Sequence, residues 1–297
     1  MQKPATLRQG DKIAIITTAR KVTKRELTHA ISLIQEWGLE VVIGKSIEAE
    51  YYQFGGEDKV RRKDLQEQLD DPEIKAIWCA RGGYGTVRIL DDIDFSNFVK
   101  NPKWVVGYSD LTVLHSEIHN RNIQSLHAQM PVSLENKSSK SAESIRKLLF
   151  GEEYNISFKS NHKLNKEGKT KGILTGGNLS MLYSVCGSTS ALTTKDRILF
   201  IEDLDEYLYH IDRMMQNLKR NGYFENIKAL LVGGMSDMKD NSIPFGYTAE
   251  EIISQYVSHK DIPVVFNFPS GHLYNNLALN FGKEVQLSLY DNQCKLT

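Results

Sequence analysis

The chain has 297 residues, more than one hydrophobic core ordinarily serves, so two domains are expected. Its 37 Lys plus Arg offset 37 Asp plus Glu, leaving no global field to attract nucleic acid or an anionic membrane, and neither is an expected partner. The opening residues are polar, no run approaches the roughly 18 apolar residues of a membrane span, and three cysteines without metal-ligand spacing suit a reduced compartment; the expectation is a soluble cytoplasmic protein with no metal or cofactor.

Residues 11–16 read as a buried strand, and 23–37 carry Leu27, Ala30, Ile31, Leu33 and Ile34 at helical spacing. Val41-Val42-Ile43 repeats the strand signal, 57–69 reads as a charged helix and 74–80 as another apolar strand. Trp104-Val105-Val106 and 123–126 continue the alternation, which predicts a parallel sheet with crossover helices. Ligands of such sheets bind beyond the carboxyl ends of the strands, where Arg81-Gly82-Gly83-Tyr84-Gly85 and Gly107-Tyr108-Ser109-Asp110 fall. From 135 to 171 the chain turns polar, with a helix-like 142–150 and a strand candidate at 156–158. The expected division is an N-terminal domain at 1–145, a connection at 146–170 and a second α/β domain at 171–297. The second domain shows strand signals near 197–201, 229–232, 264–266 and 285–289, and a helix at 207–221 with Ile211, Met214, Met215 and Leu218 on one face.

A strand that delivers Ser109 straight into a helix start presents its hydroxyl beside backbone N–H groups with no partner in the helix, as a nucleophile's elbow does. The same serine could instead be an ordinary N-cap, because the elbow's second glycine is replaced by Asp110. A base and an orienting carboxylate are then needed. His115 and His119 share a helix face, but Glu117 lies about 200° around from the first, so HSEIH is no zinc motif; His115 packs or supports the elbow from behind. His272, preceded by Gly271 after the strand at 264–266, is placed to project into a crevice or is a plain loop residue. Glu202 follows an apolar run directly, whereas Asp203, Asp205 and Glu206 fit a surface or capping role better. Gly82 and Gly83 either offer oxyanion N–H donors, with the Asp110 N–H, or make a tight turn. Arg81 offers a fork for a terminal carboxylate or pairs with an acid such as Asp91 or Asp110.

Together these segments resemble the LD-carboxypeptidase family of serine peptidases, which includes murein tetrapeptide carboxypeptidases and microcin-immunity hydrolases. The resemblance rests on Arg81-Gly82-Gly83-Tyr84-Gly85, on Gly107-Tyr108-Ser109-Asp110-Leu111-Thr112 with Leu114-His115, and on Gly176-Gly177-Asn178-Leu179, read as a turn. Phe200-Ile201-Glu202-Asp203 with Tyr209, Ile211 and Asp212, and Pro269-x-Gly271-His272, complete it. It implies an N-terminal parallel-sheet α/β domain carrying the Ser elbow, a C-terminal α/β domain carrying the other two members, and an active site at their interface. It makes Ser109 the nucleophile, Glu202 the carboxylate and His272 the base, and implies a homodimer acting on a small murein tetrapeptide in peptidoglycan recycling. Tyr84, Gln129 and Asn178 join Arg81 as expected substrate-binding residues. Leu126-His127-Ala128-Gln129-Met130-Pro131 departs from the His-Gly-Pro of many relatives, which bears on substrate choice. Two alternatives stay open: an immunity-type amidase acting on a peptide-nucleotide or aminoacyl adenylate analogue, and a non-catalytic binder whose Gly82, Gly83 and Gly85 cradle a phosphate.

Overall fold

Residues 13–16, 77–79 and 105–106 are wholly buried, as continuous apolar runs are in strands covered on both faces. The computed structural model describes residues 1–297 and divides them into two units, Met1–Glu153 with Tyr274–Asn280, and Tyr154–Leu273 with Phe281–Thr297.

In the first unit, β1 (Lys12–Ile16), β2 (Glu40–Ile43), β3 (Ile74–Cys79), β4 (Trp104–Gly107) and β5 (Ser125–His127) are connected through α1 (Thr28–Glu36), α2 (Asp58–Asp70), α3 (Val87–Leu90), α4 (Ser96–Lys100) and α5 (Thr112–Asn120). Helix α6 (Ser139–Phe150) follows and stops at Gly151, whose φ of 71° no other residue type adopts as cheaply. The second unit contains β6 (Ile156–Lys159), β7 (Gly168–Asn178), α7 (Leu179–Ser184), β8 (Arg197–Leu204), α8 (Leu208–Arg220), β9 (Ala229–Ser236), α9 (Ala249–Gln255) and β10 (Val264–Val265). The chain then supplies β11 (Leu279–Phe281) to the first sheet and ends with β12 (Glu284–Tyr290) and β13 (Gln293–Leu296) in the second.

The first sheet runs β11-β5-β4-β3-β1-β2, with β2 through β5 all parallel. Strand order reverses between β1 and β3, the point beyond whose carboxyl ends sheets of this kind bind their ligands. The second sheet runs β10-β9-β8-β7-β12-β13-β6, parallel from β10 to β7 and antiparallel beyond. Its core joins Ile211, Met214, Met215 and Leu218 of α8 to Leu199, Ile201, Leu230 and Val232. No helix is long and apolar enough to cross a membrane.

Three readings change. The stretch 146–170 holds the end of α6, all of β6 and the start of β7, whose exposed first half alternates Lys169 and Lys171 with half-buried positions and so reads as a polar connection. Gly176 and Gly177 lie inside β7, not in a turn; a Cβ on Gly176 would stand 1.8 Å from the Phe200 carbonyl oxygen, so the strand needs glycine there. Glu202 and Asp203 lie within β8, which runs on to Leu204, because the sheet carries polar groups at this end instead of closing it with apolar ones.

Candidate active site

Glycine marks the exit from β4: a Cβ on Gly107 would lie 2.3 Å from Leu111 Cδ2, so a larger residue there has to displace that buried leucine before the chain turns into the following helix. Ser109 then takes φ 62°, a left-handed backbone that costs a β-carbon residue roughly 1–2 kcal/mol, and opens the 3-10 turn Ser109–Leu111 that leads into α5. The cap position of that turn is Tyr108, one residue before Ser109, so the serine does not stand as its N-cap, which favours the elbow.

Asp110, the residue that breaks the usual elbow pattern, is buried and accepts from Thr86 N–H at 2.9 Å and Thr86 Oγ1 at 2.6 Å. It thereby ties the end of the glycine loop to the elbow; burial pushes its pKa up, against the pull of the Thr86 donors. A Cβ on Gly82 would lie 3.4 Å from the Asp110 nitrogen, so the loop backbone passes directly beside the first N–H of the elbow. Of the expected oxyanion donors, Gly82 thus lies beside the Asp110 nitrogen, and Gly83 follows it against Arg20.

Arg61, buried on α2, fastens three loops at once. It donates to Thr18 O at 2.5 Å, Gly85 O at 2.9 Å and Gly56 O at 3.3 Å, and pairs with Asp58. Nothing in the sequence singles it out, since an Asp–Arg pair three residues apart on a charged helix reads as solvated surface. His115 does sit behind the elbow: Nε2 lies 2.8 Å from Gly107 O and Nδ1 2.8 Å from Ser125 Oγ.

The expected binding residues fare unevenly. Arg81 pairs with Glu26 at 3.4 Å, not with Asp91 or Asp110, and Tyr84 is exposed with its ring 6.2 Å from Phe54. Gln129 is buried; its Nε2 donates to Met130 O at 3.1 Å and its Oε1 accepts from Asn276 Nδ2 at 3.3 Å. Asn178 has a structural role in the second unit. Its Oδ1 accepts from Met181 N–H at 3.2 Å and Ser180 Oγ at 2.8 Å, capping α7, while its Nδ2 donates to Asp203 at 2.9 Å.

Also in the second unit, Glu202 and His272 meet. His272 Nδ1–H donates to Glu202 Oε2 at 2.7 Å and the His272 backbone N–H reaches the same oxygen at 3.1 Å. The carboxylate is wholly buried and the imidazole side chain 14% exposed. Glycines make this approach possible: Gly271, at φ 99°, would put a Cβ 2.7 Å from Glu202 Oε2, and Gly233 would put one 2.4 Å from Ser270 O. Pairing of β8 with β9 skips one residue between Ile201 and Asp203, and that bulge contains Gly233 and Gly234. Gly234 N–H donates to Ser270 O at 3.1 Å and Ser236 Oγ to His272 O at 2.8 Å, so the bulge seats the histidine loop. Asp203 accepts from Ser180 N–H, Leu204 N–H and Asn178. Burial and the adjacent Glu202 push its pKa up to about 7, and it serves α7, not the histidine. An imidazole with Nδ1–H held by a buried carboxylate is fixed in the tautomer whose Nε2 takes a proton from an alcohol.

Residues 13–128 match the model of the LD-carboxypeptidase N-terminal domain, and residues 171–287 that of the LD-carboxypeptidase C-terminal domain. The chain is 32% identical to a probable murein peptide carboxypeptidase of Bacillus subtilis (strain 168), over 96% of this chain and 91% of the relative. The crystal structure of muramoyltetrapeptide carboxypeptidase from Oxalobacter formigenes resembles it with a TM-score of 0.85 at 29% identity, covering 96% of this chain and 97% of the other. The microcin C7 self-immunity protein MccF of Escherichia coli is 26% identical over 97% of this chain and 93% of its own.

Proposed function

We propose, from the premise that the chain belongs to the LD-carboxypeptidase family of serine-type hydrolases, that it releases the terminal D-Ala of a murein tetrapeptide by cutting its L,D-peptide bond. In this reading His272 takes the proton of Ser109, the alkoxide attacks the amide carbonyl, and Glu202 stabilises the resulting imidazolium. The oxyanion receives the Asp110 N–H and an N–H of Gly82 or Gly83. Collapse expels D-Ala, whose amine takes the proton back from His272; water, activated by the same base, then frees the tripeptide from Ser109. The observation that carries the reading is the Ser109 backbone, held left-handed inside the turn that Tyr108, and not the serine, caps. Names of relatives support the substrate class, since two of them are called murein or muramoyltetrapeptide carboxypeptidases. The same reading implies recycled cell-wall peptides in the cytoplasm as the substrate pool and a homodimer as the assembly state, which sedimentation velocity reads.

A fluorophosphonate probe should label Ser109, and Ser109→Ala should abolish labelling and lower kcat by about 10⁴-fold or more, with little change in melting temperature because alanine carries the same backbone strain. A folded Ser109→Ala variant that still turns over ends the triad assignment. Likeness to the microcin immunity protein favours a second reading, hydrolysis of a peptide-nucleotide or aminoacyl adenylate analogue by the same residues. Mass-spectrometric turnover of an L,D-tetrapeptide, its L,L isomer and such an analogue separates the two; cleavage of the analogue alone would replace the murein assignment.

A further inference from the structure

A carboxypeptidase must recognise a free carboxylate one residue beyond the bond it cuts, yet Arg81 is already paired with Glu26. A second guanidinium lies against the same loop. Arg20 leaves the carboxyl end of β1, on the β1 side of the point where strand order reverses, and its exposed side chain makes no hydrogen bond or ion pair. Its loop neighbours Lys21 and Lys24 are each paired, with Glu50 and Glu48. The backbone beneath it is fixed: Arg20 O accepts from Thr17 Oγ1 at 2.7 Å, Lys21 N–H donates to Gln53 O at 2.9 Å, and Gly55 N–H donates to Ala19 O at 3.0 Å. A rigid loop thus presents an uncommitted cation.

The Arg20 side chain lies along Gly83, where a Cβ would stand 2.7 Å from both its Cδ and its Nε. Gly82, the next residue, passes beside the Asp110 nitrogen. From the Asp110 N–H to the guanidinium the path therefore crosses two residues whose Cα atoms are about 3.8 Å apart. A peptide whose scissile carbonyl oxygen took that N–H would carry its terminal carboxylate one residue further on, a separation comparable to that path.

We propose that Arg20 receives the substrate's free C-terminal carboxylate through its planar fork, from its place along Gly83, a position whose φ of 101° itself calls for glycine. This subsite rests on the carboxypeptidase reading above, and a binding measurement tests it apart from the chemistry. Calorimetric titration of the Ser109→Ala protein with a D-Ala-terminated L,D-tetrapeptide and with its C-terminal amide gives the selectivity for a free acid. Adding Arg20→Ala should weaken the free acid by roughly 10- to 100-fold and leave the amide within about twofold; Arg20→Lys should recover part of the loss, keeping charge without the fork. Equal weakening of both peptides, or a selective loss in Arg81→Ala instead, overturns the assignment. Selective binding through Arg20 by a wild-type protein that releases no D-Ala would leave the subsite standing and remove the reaction. Turnover with an unchanged KM for the free acid in Arg20→Ala would do the reverse.

Discussion

His115 shows how one buried side chain can brace the turn that leads to Ser109. A carbonyl only accepts, so its Nε2 carries the proton that meets Gly107 O, and the neutral Nδ1 accepts from Ser125 Oγ. Burial pushes its pKa down to about 4, with the Gly107 carbonyl pulling weakly the other way. The unfolded imidazole titrates near 6.5. Between these values the unfolded chain binds the extra proton, so the stabilisation is complete above about pH 6.5 and is lost as pH falls toward 4. The full shift corresponds to about 3 kcal/mol. Urea unfolding at pH 7 and pH 4.5 should therefore show wild type losing stability that His115→Gln does not lose, so the gap between the two proteins narrows in acid; parallel pH dependences would refute the buried neutral ring. Support of the elbow by His115 was legible from its place on α5. The choice between arginines was not: Arg81 adjoins the glycine loop in sequence, whereas Arg20 reaches Gly83 only through the pairing of β1 with β3.

Apolar runs identified the central strands of both sheets because burial on two faces leaves an unbroken signature. Hidden were the features that serve the site. The β9 bulge is invisible in Val232-Gly233-Gly234-Met235, since glycine pairs mark turns as readily as bulges. Its consequence is specific: the loop carrying His272 sits on the bulge with its Ser270 carbonyl 2.4 Å from where a Gly233 Cβ would be. Neither that backbone nor Phe200, 2.8 Å away on another side, can yield cheaply. Gly233→Ala should push the histidine loop off Glu202 and lower kcat by about 10²-fold, the order of loss that a 1 Å misplacement brings. The downfield proton resonance of His272 Nδ1–H should weaken or shift with it. An alanine variant that keeps both the resonance and the rate would show that the loop is seated by other contacts.

At the scale of the molecule, the two units are not two consecutive lengths of chain. The first takes Tyr274–Asn280 from within the span of the second, and no composition shift announces this, because the returning segment is seven residues long and only two of them belong to its one strand. Within the first unit that segment does more than cover an edge. Asn276 N–H donates to Ser141 Oγ at 3.1 Å, Ala278 N–H to Ser144 Oγ at 3.0 Å and Asn280 Nδ2 to Gln124 Oε1 at 3.0 Å, while its Tyr274 O accepts from Ser138 N–H at 3.1 Å. Ala278 and Leu279 are buried as well. These four bonds and the buried Leu279 are contacts that the first unit lacks without the segment. A fragment of residues 1–153 should accordingly unfold at far lower urea than the same fragment joined by a flexible Gly/Ser linker to residues 272–281, and its bared β5 edge should make it aggregate. Equal midpoints for the two would mean that the parallel core from β2 to β5 stands alone, and that the return of the chain serves the site and not the stability of the unit beneath it.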